Sequence, residues 1–252
     1  MYDADAPSLP RLLAIMRRLR DPDGGCDWDR AQTWRTIAPY TIEEAYELAE
    51  ACERGDPDEL RDELGDLLLQ VVFHARIAEE AGLFDFDAVA AAISDKMERR
   101  HPHIFGNGEP SVGWESIKAA ERMGKTDNSA LSGVAAALPA LIRADKLQRR
   151  AARVGFDWPD DAGPRAKILE ELDEVVDADD PDNVEEEVGD LLFAAVNYAR
   201  HLGVEPEAAL RRANTKFERR FRAMETEAGE AFAGLDLPGK EALWQAAKRD
   251  QG

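Results

Sequence analysis

Apolar residues recur along the chain at spacings of three and four, and runs that alternate apolar with polar residues are scarce. That is the period of an α-helix, so the pattern predicts an all-α protein. The punctuation between helical stretches agrees. Asp56-Pro57-Asp58-Glu59 combines an N-cap acid, a proline at the first helical position and the acid of a capping box. Asp180-Pro181 opens a comparable helix, and Gly55, Gly82 and Gly203 stand where helices should end. Residues 191–196, Leu-Leu-Phe-Ala-Ala-Val, are apolar on every side of a helix and are therefore expected in a core.

The helical pattern occurs twice. Trp28 and Trp158 lie 130 positions apart, Glu44 and Glu171 127, Asp66 and Asp190 124, and Lys96 and Lys216 120. "KMERR" at 96–100 answers "KFERR" at 216–220, and "WESIK" at 114–118 answers "WQAAK" at 244–248. Landmarks in one order at a nearly constant offset mark a tandem duplication. Each copy supplies about four helices with short connections, the pattern of a four-helix bundle unit. The polar stretch 124–133, "GKTDNSALSG", is the expected linker between a domain at 1–123 and one at 134–252. The "GKT" within it is not a P-loop, because position 119, where that motif needs glycine, is Ala119.

Composition narrows the partners. A formal charge of −20 repels polynucleotide backbones, so a nucleic acid polymer is not expected as the partner. No apolar run is long enough for a membrane span, and the start, "MYDADAPSLP", has no apolar core of a signal peptide. Cys26 and Cys52 are too few for a disulfide scaffold, which suits a reducing cytoplasm. His101 and His103 have no further ligands nearby in sequence, and His74 and His201 are lone.

Residues 169–193 carry twelve acidic residues yet run directly into the apolar segment. Glu171 and Glu174 share a helix face, as do Glu187 and Asp190 on the next helix. Packed antiparallel, the two helices bring four carboxylates together. Desolvation and mutual repulsion would then raise their pKa values unless a cation offsets the charge. An oxygen-only ligand set selects Mg²⁺, with Mn²⁺ as a substitute. Glu44, Glu47, Glu63 and Asp66 repeat the spacing in the first half, a possible second metal site. Gly189 and Gly65 sit inside these helices, where a close backbone approach would justify them. A di-iron carboxylate bundle would need Glu-x-x-His, whereas the chain has E-V-G-D and E-L-G-D.

With "RLRDPDGGCDWDRAQT", "ISDKMERRHPHIF", "VGFDW" and "KFERRF", the paired E-E-x-x-E and E-x-x-D motifs resemble the MazG-type nucleoside triphosphate pyrophosphohydrolases of the all-α NTP pyrophosphatase superfamily. The resemblance covers nearly the whole chain and matches two-domain bacterial members. It implies Mg-dependent hydrolysis of nucleoside triphosphates to monophosphate and pyrophosphate, with water attacking the α-phosphorus. It also implies roles for residues of the second half. Glu171, Glu174, Glu187 and Asp190 would hold the metal, and Glu170 would hold or help activate water. Lys167, Lys216, Arg219 and Arg220 would face the triphosphate. Trp244 would cover a base, with Lys248 beside it, or belong to the core. The family is typically dimeric, and a C2 homodimer is expected. The alternative is a non-catalytic nucleotide-binding or helical interaction module.

The halves differ at two places that bear on substrate. Asn197 follows Asp190 by seven, where the first half has Phe73. Asn214 precedes Lys216 by two, where the first half has Ser94. An amide reads a sugar hydroxyl or a base edge, and a phenyl ring does not. The second half is therefore the expected catalytic unit. The first is a weaker enzyme, a regulatory site or a scaffold.

Overall fold

A computed structural model describes residues 7–106 and 129–250. Every regular element in these residues is helical. The chain divides into two compact units, Met1–Glu121 and Arg122–Gly252. The linker expected at 124–133 and the "WESIK" landmark fall partly or wholly outside the described residues.

The first unit contains α1 (Ser8–Leu19), the short α2 (Asp27–Ala31), α3 (Trp34–Arg54), α4 (Pro57–Glu80), α5 (Phe86–Arg100) and the single turn α6 (Pro102–Phe105). Its centre is the hairpin of α3 and α4. Gly55 makes that turn tight by adopting φ +72°, which L side chains rarely adopt. Asp56 caps α4 by accepting from the backbone N–H groups of Asp58 and Glu59. The expected capping box is incomplete, because the Glu59 carboxylate accepts from Arg54 at 2.8 Å rather than turning back to the cap. Met16, Ile37, Val72 and Phe73 form the core, with Leu12, Leu69 and Ile77 around them. The buried Arg20 guanidinium reaches Glu80 at 2.7 Å and so joins the end of α1 to the end of α4.

The second unit contains α7 (Ala140–Ala152), α8 (Ala162–Asp177), α9 (Pro181–His201), α10 (Pro206–Ala228), a 3₁₀ segment (Gly229–Gly234) and α11 (Leu237–Asp250). Three residues join α8 to α9, which forces an antiparallel hairpin. Asp180 caps α9 through the N–H groups of Asp182 and Asn183. α7 packs across α9, and α11 packs on α10. The extra helix α11 makes this unit larger than a four-helix bundle.

The expectation of a fully buried segment at 191–196 is not met within the chain. Ala194 and Val196 are buried, but Leu192 and Phe193 are about half exposed, at 55% and 44%. A helix in a two-layer hairpin has only one covered side, so an all-apolar segment leaves its outer side bare. Leu64, Leu68 and Val71 of α4 are exposed in the same way.

Candidate active site

The helix period turns the acidic spacing into a cluster. In α8 and α9, Glu171, Glu187 and Asp190 each place a carboxylate oxygen within 4.8 Å of the others. Glu171 is buried, while Glu187 is half-buried and Asp190 exposed. Glu174 lies one turn along α8 from Glu171, and the two carboxyls interact directly. Glu171 is held on its other side by Lys167 Nζ at 2.6 Å, and Lys167 also reaches Glu170 at 2.7 Å.

The electrostatics follow from these contacts. The hydrogen bond from Lys167 keeps Glu171 below the usual carboxylate range. Its neighbour Glu174 is pushed up, first by its hydrogen bond to Glu171 and then by desolvation. Hydrogen bonds to Glu170 and Glu171 push Lys167 up. Glu171 Oε2 is buried without a hydrogen-bond partner. An orphaned carboxylate oxygen within an all-oxygen donor set fits a hard divalent cation.

The first unit repeats the arrangement with Glu44, Glu47 and Glu63. Glu63 Oε2 is likewise buried and unpartnered. Desolvation, then Asp66 and Glu47, raises Glu44. Asp66 is therefore close to the cluster, though outside its tightest triad. Two things set this cluster apart. By the repeat, Tyr40 stands where Lys167 does, so no ammonium steadies Glu44. Phe73, the counterpart of Asn197, is in the core and meets Trp28 edge-on at 6.5 Å.

In the second unit the equivalent region is open. A cavity of about 730 Å³ has Glu171, Asp190 and Lys167 in its wall, together with Trp158, Phe193 and Asn197. That is ample for a nucleotide-sized ligand. Trp158 takes its place because Gly163 lies beneath its ring. A Cβ on Gly163 would come within 2.0 Å of the Trp158 Cδ1 atom.

Other residues singled out from the sequence are placed elsewhere. Asn214, Lys216, Arg219 and Arg220 lie on α10, and Trp244 and Lys248 on α11, and none of them lines the cavity. Trp244 packs against Phe217 with ring centroids 5.4 Å apart, and Arg220 lies over the Trp244 ring at 5.9 Å. Gly65 and Gly189 have nothing within 4 Å of an added Cβ, so no close approach within the chain explains them. His201 is not lone, because its Nε2 is 3.0 Å from Asp157 Oδ1. His74 Nε2 meets Thr41 Oγ1 at 3.1 Å. No histidine joins a metal cluster among the described residues.

The sequence reading missed Gln148, Asp157, Trp158 and Arg200, all in the cavity wall. The one available signal was the "GFDW" repeat itself, which contains Asp157 and Trp158.

Comparison with known proteins agrees with this architecture. The model of the MazG nucleotide pyrophosphohydrolase domain matches residues 32–105 and again 164–224, so each carboxylate hairpin lies in a matched segment. A nucleoside triphosphate pyrophosphohydrolase of Escherichia coli (strain K12) is 52% identical over 96% of this chain and 98% of its own length. A nucleoside triphosphate pyrophosphohydrolase/pyrophosphatase MazG of Thermotoga maritima is 46% identical over 94% of both chains. YabN of Bacillus subtilis is 44% identical over 94% of this chain but only 51% of its own length. With both carboxylate hairpins matched and near-complete relatives about half identical, the chain belongs to the MazG nucleotide pyrophosphohydrolase family.

Proposed function

We propose that this chain hydrolyses nucleoside triphosphates to the monophosphate and pyrophosphate, and that the second unit, residues 134–252, is where it does so. The observation that carries the reading is one juxtaposition. Glu171 and Asp190 of an all-oxygen carboxylate cluster stand in the wall of a large cavity that also presents tryptophan, phenylalanine and a buried amide. The names of the E. coli and T. maritima relatives point to the same reaction.

Glu171, Glu174, Glu187 and Asp190 would hold Mg²⁺, with Mn²⁺ as a substitute. When bound, the ion supplies positive charge against the phosphates and lowers the pKa of a coordinated water. The chain's own groups do the rest. Lys167 fixes the Glu171 carboxylate in one orientation. Glu170, which meets Lys167 from its exposed side, would accept a proton from water directed at the α-phosphorus. The rings of Trp158 and Phe193 offer faces for a base.

Lys216, Arg219, Arg220, Asn214, Trp244 and Lys248 do not reach the cavity within one chain, so their roles depend on assembly. The exposed Leu169, Leu172, Val176 and Leu192 give the α8–α9 hairpin an apolar outer face. A C2 homodimer that covers this face would bring a second α10–α11 pair toward the site. Both cysteines are unpaired, which fits a cytoplasmic setting. No described helix is long and apolar enough to cross a membrane. The first unit, 1–123, serves as a weaker site or a scaffold.

Hydrolysis of ATP in ¹⁸O-labelled water with Mg²⁺ tests the reaction. Attack at the α-phosphorus puts the label in the monophosphate. Label in pyrophosphate would contradict the proposed bond cleavage, and binding without turnover would favour the non-catalytic module.

A further inference from the structure

Two carboxamides in the cavity wall are locked with opposite polarity. Gln148 on α7 and Asn197 on α9 are both more than nine-tenths buried. Gln148 Nε2 donates to the carbonyl oxygen of Phe193 at 2.9 Å. Its Oε1 is therefore the free end, and that atom is buried without a partner. Asn197 is held the other way round. Its Oδ1 accepts from Arg200 Nε at 3.1 Å and from Nη2 at 2.6 Å. Arginine has only donors, so the amide cannot be flipped, and Nδ2 is the end left for a ligand. Arg200 is itself fixed by Asp157, with Nη1 at 2.9 Å from Oδ2. Phe193 and Asn197 are one helical turn apart on α9, and both amides belong to residues that line the one cavity.

We propose that this pair, Gln148 Oε1 as acceptor and Asn197 Nδ2 as donor, reads the edge of the substrate's base. The inference rests on the nucleotide reading above. Asn197 lies seven residues beyond Asp190, roughly 10 Å along the helix axis. That span carries a nucleotide from phosphate at the carboxylates, past the ribose, to the base. Each common base offers an adjacent donor and acceptor: N6–H and N1 in adenine, N1–H and O6 in guanine, N4–H and N3 in cytosine, N3–H and O4 in uracil. The site therefore accepts all four and rejects a base that lacks the donor, because Gln148 Oε1 is then buried with no partner. In the first unit the repeat puts Arg18 and Phe73 at these two places, and neither offers the pair.

The test compares kcat and KM for ATP with those for purine riboside 5′-triphosphate, which has hydrogen in place of the 6-amino group. Wild-type kcat/KM should fall roughly 5- to 150-fold on the analogue. In Gln148→Leu the ratio between the two substrates should shrink toward one. Arg200→Met, which releases Asn197, should raise KM for ATP more than it lowers kcat, with partial recovery in Arg200→Lys. Wild-type rates within twofold of each other overturn the proposal, as does an undiminished ratio in Gln148→Leu. If Gln148→Leu does not fold, the wild-type comparison decides alone. A penalty on 2′,3′-dideoxy-ATP in place of the purine analogue assigns the amides to the sugar and overturns base reading. Hydrolysis without discrimination sinks the base-edge reading only, whereas no hydrolysis of ATP or UTP sinks the nucleotide reading and this inference with it.

Discussion

Asp157 shows how one side chain outside the carboxylate cluster can govern the site. The Arg200 guanidinium, with help from His201, holds its carboxyl down at about 2, against an ordinary 3.8. A carboxylate whose folded pKa is depressed stabilises the fold above its unfolded pKa, and that contribution disappears as pH falls through the folded value. Wild type should therefore exceed Asp157→Asn in melting temperature at pH 5, with the gap closing between about pH 4 and pH 2. A gap that persists at pH 2 would show that Asp157 acts through packing and not through charge. The carboxylate cluster was legible in the sequence, because the helix period alone converts a spacing of three into a shared face. Gln148, Asp157 and Arg200 were not. Their roles depend on α7 crossing α9 and on the loop before α8 folding back, and these are tertiary facts that no local spacing encodes.

At the level of elements, the two hairpins α3–α4 and α8–α9 were foreseen through their caps and their glycine and proline punctuation. What the pattern did not reveal is how the turn into α8 serves the cavity. Gly163 leaves room for the Trp158 ring over the first turn of that helix. Gly163→Ala should displace the ring and raise KM for a nucleoside triphosphate several-fold, while far-ultraviolet circular dichroism stays unchanged. An unaltered KM would remove Trp158 from the binding site. Gly189 invites the opposite expectation. Nothing lies within 4 Å of its added Cβ, so Gly189→Ala should stabilise α9 by roughly 1 kcal/mol through helix propensity, measured by denaturant unfolding. Destabilisation would mean that another chain packs closely there.

Over the whole molecule, duplication has produced two carboxylate hairpins with different surroundings. In the first, Phe73 fills the place of Asn197 and packs into the core, and Tyr40 replaces the lysine that steadies the buried glutamate. The second keeps an open cavity beside its cluster. Both hairpins leave leucine and valine side chains bare on their outer faces, among them Leu192 of the 191–196 segment that the apolar pattern had placed in a core. The pattern reports that a side chain is destined for burial, but not whether its own chain or another buries it. Light scattering at micromolar concentration should accordingly give twice the chain mass. A charge introduced on the bare face, as in Leu172→Glu, should shift the protein toward monomer, and an active wild-type monomer would contradict the dimer.

The central claim is that the cluster in the second unit holds the divalent cation needed for turnover. The most direct measurement is pyrophosphate release from a nucleoside triphosphate with Mg²⁺, compared across matched variants. Glu171→Gln and Asp190→Asn keep side-chain shape while removing ligand charge, and each should lower turnover by roughly a hundredfold or more. Glu44→Gln and Asp66→Asn should cost far less. Equal losses from both pairs would contradict the assignment of catalysis to the second unit, and no loss from either would contradict the metal site itself.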